Sequence, residues 1–178
     1  MSLKDDARTR AGSLDQALAR PVILPEEPNR VFRRLRGCLQ EQAQLSRVLN
    51  DVYRIIKIAD GRGALASICL GPTFDKGPTS EHFHFDSGAR LSFALTLREG
   101  GSSSSLVAYR FYYHLPAGRS PEFLRFELTP EPHVDPLAEP RCHLHPGLDK
   151  VRLPLPVLDP FEILDRIFFV IEPALLSR

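Results

Sequence analysis

Six histidines, at 82, 84, 114, 133, 143 and 145, crowd the middle and later part of this 178-residue chain. Two of the spacings are His-x-His, His82/His84 and His143/His145, and on a β-strand such a spacing turns both rings to one side. Imidazole is the side chain whose ordinary pKa lies nearest neutrality, so a cluster of this kind suits proton transfer or metal ligation. Ionisable partners stand between the two pairs: Arg110, Tyr112 and His114 alternate, and so do Arg125 and Glu127. Cleavage of RNA by its own 2′-hydroxyl asks for that set. A base removes the hydroxyl proton, an acid protonates the leaving oxygen, and a guanidinium fork holds the phosphorane. In this reading His114 or Glu127 is the base, His143 or His145 the acid, and Arg125 with Arg110 the phosphate clamp. Tyr112 stacks on a nucleobase or donates a hydrogen bond.

Two other readings use the same residues. His133, His143, His145 and Cys142 carry atoms that suit zinc or another transition ion. Yet Cys142 and His143 are neighbours and point oppositely on a strand, the tight spacings of zinc sites are missing, and no glutamate follows His82-x-His84 three or four residues on. No metal and no other cofactor is therefore expected. The last reading is structural: His114 with Arg125, and Tyr112 with Glu127, are cross-strand pairs on a wet sheet face, each worth about 0.2–1 kcal/mol. GxSxG, GxxxxGK[ST], HExxH and a GxGxxG that follows a strand are all absent. Their absence argues against a serine-elbow hydrolase, a P-loop NTPase, a zincin and a dinucleotide-binding enzyme.

These residues must be positioned by the elements around them. Val31, Leu35, Cys38, Gln42, Leu45, Leu49, Val52 and Ile56 recur at 4-3 spacing, all but Gln42 apolar, and Phe32, Leu39 and Tyr53 widen the stripe. With Asn29 as N-cap, the pattern predicts a helix of about 27 residues, roughly 40 Å long, bent near Asn50–Asp51. Its stripe fits either packing on a sheet or a coiled-coil seam, to a second copy or a partner. Residues 1–25 lack periodicity and end in Pro21 and Pro25. They are expected to form a mobile arm, with 26–178 as a single domain.

After Gly61 the apolar period falls to two, which predicts strands over 64–70, 91–97, 106–115 and 123–129. The Gly-Gly-Ser-Ser-Ser-Ser run at 100–105 reads as a flexible loop. The stretch 130–148 reads as Pro-rich and irregular, with a short strand at 150–153. Asp159-Pro160-Phe161-Glu162 supplies an N-cap, a proline at the first helical position and an acid, so a helix is expected to run to about Ile171. The fold class is α+β: an antiparallel meander of four to five strands packed on a long N-terminal helix and a C-terminal helix. The alternation sets Leu115 opposite Leu124, Tyr113 opposite Phe126 and Phe111 opposite Leu128. The other face then gathers Arg110, Tyr112, His114, Arg125 and Glu127.

Composition sets the bounds. Hydrophobic residues are 43%, charged residues 25% and the net charge +1. A protein that coats nucleic acid is usually far more basic. A chain of this length buries roughly 70% of its unfolded surface, and so needs no staple to fold. Three cysteines, at 38, 69 and 142, form no CxxC; Cys38 and Cys69 read as buried hydrophobes. No apolar run approaches the ~20 residues of a membrane span, and 1–20 lacks the apolar middle of a signal peptide. A cytoplasmic chain is expected.

Tyr109-Arg110-Phe111-Tyr112-Tyr113-His114, Leu124-Arg125-Phe126-Glu127, Pro132-His133 and Pro140-Arg141-Cys142-His143-Leu144-His145 follow one another in that order. The series resembles the TumE family of small prokaryotic toxins. That family has a Tyr-x-Tyr-His strand, an Arg-Tyr-Asp strand, a Pro-His loop and a Pro-His-x-His segment before a C-terminal helix. The resemblance covers roughly residues 89–172. Glu127 stands where the family usually has Asp, Leu128 stands in place of the Asn that follows it, and Arg141-Cys142 is an insertion. The resemblance implies a toxin that acts on RNA and pairs with a helix-turn-helix antitoxin. It carries His114, Arg125, Glu127, His133, His143 and His145 forward as positions of interest. The rival expectation is a binding module that forms a homodimer through the 31–56 helix.

Overall fold

The alternating segments pair into one antiparallel sheet, and the apolar stripes of the helices close its greasy side. The computed structural model describes residues 22–61, 63–71, 82–130 and 140–177. The strands are β1 (Ile23–Leu24), β2 (Ile56–Asp60), β3 (Leu65–Leu70), β4 (Phe83–His84), β5 (Arg90–Gly100), β6 (Ser103–His114), β7 (Phe123–Leu128), β8 (Cys142–Pro146) and β9 (Leu153–Pro154). They run in the order β2-β3-β5-β6-β7-β8-β9, with β1 also paired to β6 and β4 to β5. The helices are α1 (Pro28–Leu45), α2 (Val52–Ile55), α3 (Pro160–Arg166) and α4 (Glu172–Leu176), with a π-helical turn (Ile167–Ile171) joining the last two. The architecture is the expected α+β, but the sheet has nine strands among the described residues rather than four to five.

The long helix is the main correction. It stops after 18 residues at Leu45, and Pro28 rather than a residue after Asn29 opens it, with Glu27 as the cap. Distant partners make the break. Asp86 Oδ1 accepts from the Ser46 hydroxyl at 2.8 Å and from the Arg47 and Val48 amides at 2.8 and 3.3 Å. The Asn50 amide then pairs with the His84 backbone in both directions, donating to its carbonyl at 2.9 Å and accepting from its N–H at 2.8 Å. Chain that would have continued the helix is thereby held extended, and Asp51 caps the single turn of α2. Val31, Leu35 and Leu39 are fully buried in the chain's own core. Leu45 and Leu49, further along the stripe, are 77% and 99% exposed.

On the apolar face, Leu91, Phe93, Tyr109, Phe111, Tyr113 and Phe126 form one core with α1 and with Phe161, Leu164, Ile167 and Phe168 of the C-terminal helix. The Asp159 cap is in place, with Glu162 completing the capping box. The expected loop at 100–105 is instead a tight hairpin. Gly100 faces Ser103, and Gly101 at φ +74° is the first of the two turn residues, the position where a type II′ turn requires glycine. The 130–148 stretch contains β8, and the short strand near 150 is β9, from Leu153. Of the expected arm, residues 1–21 lie outside the described residues, and Ile23 and Leu24 pair with Ser105 and Ser104 of β6.

The β6–β7 register differs by two residues from the one expected. Tyr113 faces Leu124, Phe111 faces Phe126 and Tyr109 faces Leu128. The pairing begins closer to the turn, where Leu115 N–H bonds the Glu122 carbonyl. A shift of two leaves every side chain on its expected face, because the side-chain period is two.

Candidate functional site

The register lays the polar face out in rungs. Ala94, Arg110, Glu127, His143 and Pro154 make one, and Ser92, Tyr112, Arg125 and His145 make the next. Arg90, His114 and Phe123 make a third. Pairing of β7 with β8 places the second His-x-His beside the Arg-x-Glu of β7, although residues 129–141 separate them in sequence.

Glu127 is the hub. Its Oε1 accepts from Arg110 Nε at 3.1 Å and from Arg110 Nη2. Its Oε2 lies 3.1 Å from Arg125 Nε, 3.7 Å from His145 Nε2 and 4.0 Å from His143 Nε2. Arg125 reaches further, to Asp149 Oδ1 at 2.7 Å and His145 Nε2 at 3.0 Å. Its guanidinium also sits 5.8 Å from the Tyr112 ring. His143 donates from Nδ1 to the Pro140 carbonyl. A guanidinium has only donors, so His145 Nε2 accepts from Arg125 and its proton resides on Nδ1. Both imidazoles thus present an Nε2 lone pair toward Glu127.

Burial grades across the cluster. The His143 and His145 side chains are 0% and 1% exposed, Glu127 11%, Arg125 15% and Arg110 38%. Arg110 is the cation that solvent reaches, beside a 390 Å³ cavity lined by Thr96, Ala108, Arg110, Glu127 and Thr129 among others. Burial pushes the Glu127 carboxyl up, but the Arg110 hydrogen bonds and the charges of both arginines outweigh it and hold the group below the usual range. Burial, reinforced by Arg125, pushes His145 down and favours its neutral form.

Five of the expected residues, Arg110, Arg125, Glu127, His143 and His145, thus converge, with Tyr112 at their margin. His114 does not join them. It lies four residues along β6 from Arg110, about 13 Å at the usual rise. Its ring packs 4.2 Å from Tyr112 and 6.2 Å from His82, which in turn lies 6.5 Å from His84. Burial, with the Arg90 and His82 charges, pushes His114 down to about 4. His133 lies outside the described residues. Asp149 was not anticipated; the one local signal for it is Gly147, whose φ of +79° turns the chain back after β8.

A second buried carboxylate, Glu172, has no signal in the local sequence pattern. Glu172 accepts from the Tyr113 hydroxyl and, at 3.0 Å, from the Ser87 hydroxyl. The π-helical turn delivers it, the Glu172 N–H bonding the Ile167 carbonyl five residues back.

No family model, no curated protein and no solved structure matches this chain. Among the described residues, no helix is long and apolar enough to cross a membrane.

Proposed function

We propose that this chain is a toxin-like ribonuclease, cleaving RNA by metal-independent acid–base chemistry at the Glu127–His143–His145 cluster. The observation that carries the reading is the convergence of two imidazoles on one carboxylate, at 3.7 and 4.0 Å, beside two guanidiniums. One imidazole accepts the proton of the RNA 2′-hydroxyl as its oxygen attacks phosphorus. The other, entering the cycle as an imidazolium with its Nε2–H toward Glu127, donates that proton as the P–O5′ bond breaks, leaving a 2′,3′-cyclic phosphate and a 5′-hydroxyl. Glu127 stands within reach of both rings and stabilises whichever carries the charge. Arg110, the more exposed of the two guanidiniums, supplies positive charge beside the phosphate while it holds Glu127, and Tyr112 offers a stacking surface. The resemblance adds a helix-turn-helix antitoxin as partner. Growth and total-RNA integrity in a bacterial host expressing wild type or His145→Gln test this. Arrest with RNA breakdown that needs His145 supports it; normal growth with intact RNA at confirmed soluble levels sinks it.

The rival reading is a non-enzymatic module that binds a partner or a second copy. The exposure of Leu45 and of Leu176 (59%) favours it, since both line a 180 Å³ groove between the end of α1 and α4. Sedimentation separates the two: a monomer whose size Leu45→Asp leaves unchanged rejects the rival.

A further inference from the structure

Three acceptor atoms meet at the hub of the polar face: His143 Nε2, His145 Nε2 and a Glu127 oxygen, all within 4.8 Å of one another. Acceptors do not bond one another, so what belongs among them is a cation. Arg125 fills part of that role, through Nε to Glu127 and Nη2 to His145. The arrangement has the further marks of a metal centre. His143 is locked by its Nδ1–H on the Pro140 carbonyl, the outer hydrogen bond that fixes tautomer and ring orientation in metal-ligating histidines. Both histidines are buried, so their orientations are set by packing. In a tetrahedral zinc site with bonds near 2.0–2.1 Å, ligand atoms lie about 3.3 Å apart, so closing this set takes shifts of roughly 1 Å or less.

We propose that Glu127, His143 and His145 form a binding site for a divalent transition ion of the zinc class, and that the ion inhibits the cluster by replacing Arg125. Two imidazoles and one carboxylate select such an ion over magnesium or calcium, which prefer all-oxygen shells. The displaced guanidinium keeps an anchor in Asp149, which is 74% exposed and already holds Nη1 at 2.7 Å. The fourth ligand position is left to water. With their lone pairs bound to an ion, the two Nε2 atoms can neither accept nor carry a proton. The inhibitory half rests on the ribonuclease reading; the binding half does not.

The test is titration of the purified protein with Co²⁺, read by its d–d absorption, and with Zn²⁺ in competition with a chromophoric chelator. One equivalent is expected to bind. Glu127→Gln and His145→Gln should each weaken binding by at least about 100-fold, and His84→Gln should leave it unchanged. Arg125→Ala should tighten it by about tenfold, a gain that unfolding cannot imitate. Failure of the wild type to bind below about 100 μM, or binding that survives both ligand substitutions, overturns the site. RNA cleavage is assayed on the same samples. Binding without any cleavage keeps the site and removes the ribonuclease reading. Cleavage that continues with the site filled overturns the inhibition.

Discussion

Replacing Glu127 with Gln removes a carboxylate that both arginines share, and the structure gives the scale of the loss. The Arg125–Glu127 pair is 15% and 11% exposed, in the range where deleting one partner costs about 3–5 kcal/mol because a buried charge is left uncompensated. Three features reduce that figure. Arg110 is 38% exposed and can be hydrated, Asp149 still holds Arg125, and Gln keeps an acceptor oxygen on the Arg110 side. A loss of about 2–3 kcal/mol remains. For a chain of this size that corresponds to a fall in Tm of roughly 5–10 °C. Urea unfolding followed by far-UV circular dichroism, with calorimetry at pH 7, reads both quantities. The double variant Arg110→Met/Glu127→Gln should be less destabilised than the two singles sum to, by about 1 kcal/mol, because each removes the other's partner. A loss below about 0.5 kcal/mol for Glu127→Gln, the scale of a solvent-exposed pair, refutes the claim that this is a buried hub.

Three further outcomes follow from the packing. His114 is pushed down to about 4 in the folded chain against about 6.5 unfolded, so its contribution is full above pH 6.5 and is lost as pH falls toward 4. Discounted for partial exposure, it is about 1–2 kcal/mol, and His114→Gln should flatten the fall in Tm between pH 6.5 and 4.5; a slope equal to the wild type's contradicts this. Asp86→Ala should strip hydrogen-exchange protection from the Arg47 and Val48 amides and lower Tm, and unchanged protection would show that the break after Leu45 has another cause. Gly147→Ala puts a Cβ 2.6 Å from Pro121 Cβ at a φ of +79°, so a loss of more than about 1 kcal/mol is expected; a thermal melt that overlays the wild type rejects the argument.

Much of this face was legible in the sequence because strand alternation is local. Arg110 and Tyr112 share one side of β6, Arg125 and Glu127 one side of β7, and any even shift keeps the two pairs on one face, so an error of two residues left the face intact. The pairing of His143 and His145 with that face was not legible, since it depends on β8 lying beside β7 across an intervening Pro-rich stretch. The helix was misjudged for a related reason. Its 4-3 stripe continues past Leu45, and among the described residues it is Asp86 and the His84 backbone, some 34–40 residues away, that hold the chain out of the helix. Local periodicity reports the preference of a segment and is blind to a distant carboxylate that outbids it. The Asp159 capping box lies wholly within four residues, and it was readable for that reason.

The most direct test of the central claim is cleavage of a defined RNA by the purified protein at pH 7 in excess EDTA, with the product ends identified. Expected are 2′,3′-cyclic phosphate ends, a rate at least about 100-fold lower for Glu127→Gln and His145→Gln, and a rate within about threefold of wild type for His114→Ala. Absence of cleavage, or cleavage equal in all four proteins, contradicts it.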